Sequence, residues 1–97
     1  KMQVKFETDY LYLLFADSFF QDKQIGAKVT AAYRIVVNYL LSAHSISDLH
    51  QAQFLDLLPC DDDSGFYSVT VNPKYKLIIS VETEQIVLHK LDSQDPK

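Results

Sequence analysis

The chain opens with an alternation. Met2, Val4 and Phe6 are apolar, and Gln3 and Lys5 between them are polar. A period of two puts one set on one side of an extended chain, so Met2 to Phe6 reads as a short half-buried strand. The period then lengthens. Leu11, Leu14, Phe15 and Phe19 recur at helical spacing, with Tyr10, Tyr12 and Leu13 widening the stripe. Thr8 or Asp9 offers a side-chain oxygen to cap the first turn, and a helix is expected from Asp9 to Phe20. After a polar break at residues 21–24, Ile25, Val29, Ala32, Val36, Leu40 and Ala43 share one face of a longer helix, Ile25 to Ala43. Lys28, Arg34, Asn38 and Ser42 lie nearer its other face. The short connection predicts an antiparallel helical pair.

From His44 to Gln53 the chain is polar, with room for one helical turn capped by Ser45 or Ser47. Phe54 to Leu58 is expected as a strand that Pro59 ends, and Asp61-Asp62-Asp63 as a solvated turn. Alternation then returns. Tyr67, Val69 and Val71 oppose Phe66, Ser68 and Thr70; Tyr75, Leu77, Ile79 and Val81 oppose Lys76, Ile78 and Ser80. Asn72-Pro73-Lys74 is a tight turn with Pro73 at its first corner. Glu82-Thr83-Glu84 is the next turn, and Gln85 to Leu91 the last strand. The polar tail from Asp92 to Lys97 is expected to fray. Strands joined by short turns pair antiparallel, and the two helices bury their stripes only by covering one face of the sheet. The expected architecture is α+β, in the order β-α-α-β-β-β-β, with a helical hairpin on one face of a curled, mainly antiparallel sheet.

Composition narrows the classes. The chain has 97 residues, 47% hydrophobic and 23% charged, which suits one domain spanning residues 1–97. Lys1 precedes Met2, so Met2 reads as the natural start. One cysteine excludes a disulfide framework and a cysteine-based zinc site. With no basic neighbour, Cys60 is not a candidate nucleophile. Three scattered histidines have no metal-ligand spacing, and the three adjacent aspartates lack the interleaving of a calcium loop. No metal and no cofactor are expected. No apolar run approaches the ~18 residues of a membrane span, no signal peptide is apparent, and a cytoplasmic protein without a membrane partner is expected. Thirteen acids against nine bases give a formal charge of −4, which argues against a general polyanion binder.

Three stretches carry a resemblance. They are Ser47-Asp48-Leu49 after the long helix, Gly65-Phe66-Tyr67-Ser68-Val69-Thr70-Val71-Asn72, and Tyr75-Lys76-Leu77-Ile78. With the order of elements, they resemble the RelE/ParE superfamily of bacterial toxins, and within it the HigB or "plasmid maintenance killer" branch. The resemblance implies the toxin component of a type II toxin–antitoxin system. Its activity would be ribosome-dependent mRNA cleavage, and its partner a cognate antitoxin, helix-turn-helix and HigA-like. In that chemistry the 2′-hydroxyl of one nucleotide attacks the next phosphate, which calls for a base, an acid and cations on the sheet face away from the helices. The chain departs from the pattern at several points. Asp61-Asp62-Asp63-Ser64 replaces a basic loop, Thr70 replaces an arginine, and Lys90, Leu91 and Asp92 replace an acidic residue, Tyr and His.

The candidate catalytic residues are Lys76, His89 and Lys90, and the candidate substrate-binding residues Phe66, Ser68 and Thr70. His89 and Lys90 are neighbours on a strand, so they are expected on opposite faces, with only one able to join Lys76. His44 and His50 are expected in exposed loops, and Tyr67 and Tyr75 in the core. Tyr10, Tyr12, Phe19 and Phe20 are either core filling or a contact patch. An alternative stays open: a catalytically degenerate RelE/ParE-fold binding protein, acting through an antitoxin or a gyrase-like target.

Overall fold

The structure is a computed structural model that describes residues 2–60 and 65–94. Lys1, residues 61–64 with the expected three-aspartate turn, and the last three residues of the tail lie outside the described residues. The elements run β1 (Gln3–Phe6), α1 (Asp9–Ala16), α2 (Gly26–Ser42), α3 (Ile46–Gln51), a 3-10 turn (Gln53–Leu55), β2 (Leu58–Pro59), β3 (Phe66–Asn72), β4 (Tyr75–Val81) and β5 (Gln85–Ser93). Five strands form one open sheet in the order β1-β5-β4-β3-β2. β1 lies parallel to β5, and the other pairs are antiparallel. The fold is α+β as expected, with α3 added to the helical pair.

Thr8 caps α1: its Oγ1 accepts from the Leu11 amide at 3.2 Å. The helix stops at Ala16, four residues short of the expected end at Phe20. The cause is local. Asp17 Oδ1 accepts from the Phe19 amide at 2.9 Å, a turn that competes with helical pairing. The chain end of α1 is then satisfied from across the hairpin. Arg34 donates from Nε to the Leu14 carbonyl at 3.0 Å and from Nη2 to the Asp17 carbonyl at 3.2 Å. Arg34, placed nearer the other face of α2 by spacing alone, is thus a tie between the two helices.

The buried face of α2 holds Val29, Thr30, Tyr33, Val36, Val37 and Leu40. Tyr33 is fully buried, and its hydroxyl donates to the Leu11 carbonyl at 2.7 Å. The core gathers these with Leu11, Leu14, Val69, Leu77, Ile79, Ile86 and Leu88 between the helices and the sheet.

Two further expectations need correction. Residues 54–57 are not in a strand, and the strand begins only at Leu58 and includes Pro59. Phe54 packs edge-on against Tyr39 of α2, with centroids 5.2 Å apart, Leu55 enters the core, and Asp56 takes a left-handed φ of 47°. That conformation breaks an extended path, so pairing is confined to Leu58 and Pro59, opposite Ser68 and Tyr67. The tail, in turn, does not fray at Asp92. β5 runs on with Asp92 opposite Lys76 and Ser93 opposite Tyr75. The Gln94 amide then donates to the Lys74 carbonyl at 2.7 Å. The β3–β4 turn that receives it is held by Asn72 Oδ1, which accepts from the amides of Lys74 and Tyr75 at 2.8 Å each.

Candidate functional site

The helices cover one side of the sheet and leave the other open. Cross-strand partners share a side, so the register assigns the open side in rows. One row is Phe66, Ser80, Val87 and Lys5; the next is Leu58, Ser68, Ile78 and Lys90; the third is Thr70, Lys76 and Asp92. All six candidate residues are therefore on or beside this face, given where His89 sits.

His89 sits in a β-bulge. Ile78 pairs with Lys90, but the next residue, Ile79, pairs with Leu88, so His89 is the unpaired extra residue. A bulge shifts the alternation by one. Before it, Ile86 and Leu88 point into the core; after it, Leu91 does, opposite Leu77. His89 and Lys90 thus both reach the open side. The expectation that neighbours face opposite ways is overturned: both join the face of Lys76. A signal was present in the sequence, because the apolar positions of β5 change phase, from 86 and 88 to 91.

The His89 ring is held from two directions. It stacks on Phe66, with centroids 4.6 Å apart and planes 20° apart. Its Nε2 lies 2.9 Å from Ser80 Oγ. Lys90 Nζ is 3.7 Å from Asp92 Oδ2, and both side chains are largely exposed; such a pair contributes little and is easily exchanged for another partner. Asp92 also lies opposite Lys76 in the β4–β5 register. Ile78 and Val87 give this face an apolar floor, only 8% and 5% exposed. At its margin Phe66 remains 38% and Leu58 51% exposed. The face therefore combines an aromatic end with a charged end. Ser80 and Asp92 were not among the sequence candidates. Ser80 carries no distinguishing pattern as a lone serine on a strand, and Asp92 was assigned to the tail.

Asp48, in the Ser47-Asp48-Leu49 stretch, accepts from the His44 amide through Oδ2 at 2.8 Å, and Leu49 is fully buried. His44 and His50 are exposed as expected, but His50 lies on α3 rather than in a loop. Tyr67 and Tyr75 are partly buried against the core. Cys60 is free, and its amide donates to the Phe66 carbonyl at 2.9 Å. Among the described residues no group of His, Cys, Asp and Glu is arranged to hold a metal ion. Nor is any described helix long and apolar enough to cross a membrane.

The perturbed acids and phenols all lie on the helix side. Tyr10 donates to Asp22 Oδ2 at 2.5 Å. That bond, with the Gln24 amide, holds the Asp22 carboxyl below the usual carboxylate range. Burial first, and then the bond to Asp22, pushes the Tyr10 phenol up. Burial also raises Tyr33. Phe20 packs edge-on against Tyr10 and Tyr12 against Phe6, while Phe19 is 92% exposed. Three of the four surplus aromatics are thus at least partly engaged in packing.

No family model matches the chain, and no curated protein matches it. Among solved structures, the conserved hypothetical protein HP0894 from Helicobacter pylori is similar, with 17% sequence identity over 97% of this chain and 96% of that one, at a TM-score of 0.45. The likeness is loose and bears on neither activity nor partner.

Proposed function

We propose that the protein is the toxin of a bacterial type II toxin–antitoxin pair, RelE-like in fold and HigB-like in branch, whose open sheet face cleaves messenger RNA on the ribosome. The observation that supports this is the β5 bulge, which adds His89 and Lys90 to the side that Lys76 occupies. In this reading His89 takes the proton of a ribose 2′-hydroxyl. The freed oxygen bonds to the adjacent phosphorus, the bond to the 5′ oxygen breaks, and a proton from solvent or from a lysine ammonium completes the 5′-hydroxyl. Lys76 and Lys90 hold the charge that builds on the phosphoryl oxygens, displacing the weak Asp92 contact. Phe66 offers a stacking surface for a base, and Ser68 and Thr70 offer hydroxyls to the backbone.

The test is cleavage of a defined message by the purified protein on translating ribosomes, read as new transcript ends. Wild type should produce them. His89→Ala should lower the rate by about 10²–10⁴, and Lys76→Ala by about 10²–10³. Intact transcripts with wild type would sink the reading. One observation favours the alternative of a RelE/ParE-fold binding protein. Asp92 pairs with Lys90 and lies opposite Lys76 in the strand register, which sets a negative charge on the face a phosphate would approach. Growth arrest on expression with intact transcripts is the outcome that favours it, with a gyrase-like target in view. Either reading implies an antitoxin, and β1 at the sheet edge offers it a strand to extend.

A further inference from the structure

Ser80 has no part in the chemistry above, yet it is the side chain bonded to His89. We propose that Ser80 is a positioning residue: its hydroxyl accepts a hydrogen bond from His89 Nε2–H, leaving Nδ1 as the nitrogen that exchanges protons on the open face. The inference rests on the RNA-cleaving reading of that face and deepens it.

Two contacts constrain the ring in different ways. Stacking on Phe66 fixes its plane. A phenyl face does not distinguish one edge of the ring from the other, so it leaves open the flip of about 180° around Cβ–Cγ. The contact to Ser80 Oγ closes it, because only Nε2 meets the hydroxyl, at 2.9 Å. Ser80 and Phe66 are themselves directly opposed across β3 and β4, so both constraints come from one cross-strand pair. The bulge supplies the reach, carrying an unpaired residue of β5 back over that pair.

A serine hydroxyl can donate or accept, so the direction of the bond is a matter of chemistry. The neutral histidine side chain in water prefers the proton on Nε2. More tellingly, imidazolium donates from both nitrogens. With Nε2–H donating to Ser80, the bond survives unchanged when Nδ1 gains a proton. In the opposite tautomer the hydroxyl donates to Nε2, and each proton transfer there would force it to reverse. A site whose dipoles need not reorganise during the reaction is the favoured arrangement. The charged groups that share this face are Lys90 and Asp92 on β5, Lys76 on β4 and Lys5 on β1. None of them is bonded to the ring among the described residues.

The experiment is side-chain nitrogen NMR on the full chain, beside the ribosomal cleavage assay, for wild type, Ser80→Ala and Ser80→Thr. Wild type should show a His89 proton on Nε2, retained against solvent exchange, and none on Nδ1 in the neutral ring. Ser80→Ala should lose that protected proton and gain an Nδ1–H population, and Ser80→Thr should restore the wild-type pattern. In the assay, Ser80→Ala should slow cleavage about tenfold, as for loss of one hydrogen bond, and displace the acidic limb of the pH profile. Ser80→Thr should keep both. An Nδ1–H tautomer in wild type, or an unchanged His89 in Ser80→Ala, would overturn the proposal. If the tautomer responds as stated but no variant cuts RNA, the RNA-cleaving reading falls and the Ser80–His89 contact stands.

Discussion

On the helix side of the sheet, Val69, Leu77, Ile79, Ile86 and Leu88 lie under α1 and α2 with no measurable exposure; on the other side the same strands present Ser68, Thr70, Lys76, Ser80 and His89. The first set is there to be removed from water, at about 1.5–3 kcal/mol for each large side chain. The second set makes only local contacts. One side of the sheet holds the molecule together, which leaves the polar residues of the other free for chemistry. The division is not complete, because Ile78 and Val87 are buried on the open side beneath their neighbours. They share their strand rows with Lys90 and Ser80, so the open side is apolar in part.

Substitutions on the two sides should therefore part company, and equilibrium urea unfolding measures how far. Leu88→Ala empties a fully enclosed position and should destabilise by about 2–5 kcal/mol. Tyr33→Phe removes the buried hydroxyl bond to the Leu11 carbonyl, which keeps its partner within α1, and should cost about 0.5–1.5 kcal/mol, the net worth of one hydrogen bond. The same residue gives an alkaline signature. Tyr33 and Tyr10 hold their protons more tightly folded than unfolded. Their contribution is whole below the ordinary tyrosine value of about 10 and falls away as pH rises past it. Tyr33→Phe should flatten that decline. Thr8→Ala should cost about 1 kcal/mol through the lost cap of α1. Asp22 works in the opposite direction of pH. Its carboxyl is depressed in the fold, so its small contribution is present above the ordinary value of about 3.9 and lost on acidification; Asp22→Asn should remove that acid dependence. Least of all, Ser68→Ala and Thr70→Ala on the open side should stay within about 0.5 kcal/mol of wild type. A loss there as large as that of Leu88→Ala would mean the open side is covered in solution.

How much of this was legible depends on the range over which each feature is decided. β1, β4 and α2 follow from spacing within a few residues, and their limits fall within two residues of expectation. The end of α1 was harder, because Tyr12, Phe15 and Phe19 continue the apolar pattern beyond the point where the Asp17 side chain captures an amide. The region from Phe54 to Leu58 misled for a similar reason. A short apolar run suits a strand or a turn equally, and the neighbours Tyr39 and the core decided it. In the candidate site, Phe66, Ser68, Thr70 and Lys76 were assigned correctly to one side by alternation alone. The joint presence of His89 and Lys90 was not, since it depends on how β5 slips against β4.

Taken alone, the order of residues determined the class of fold, the polarity of each face of β3 and β4, and the helix that shields one of them. These are consequences of local period, which every residue shares with its near neighbours in the chain. The tertiary structure decided that β1 joins β5 in parallel, that Arg34 closes the end of α1, and that a single unpaired residue turns His89 toward Ser80 and Phe66. Each of those depends on a partner brought from far along the chain, and a phase along one strand acquires its meaning only when a second strand is laid against it.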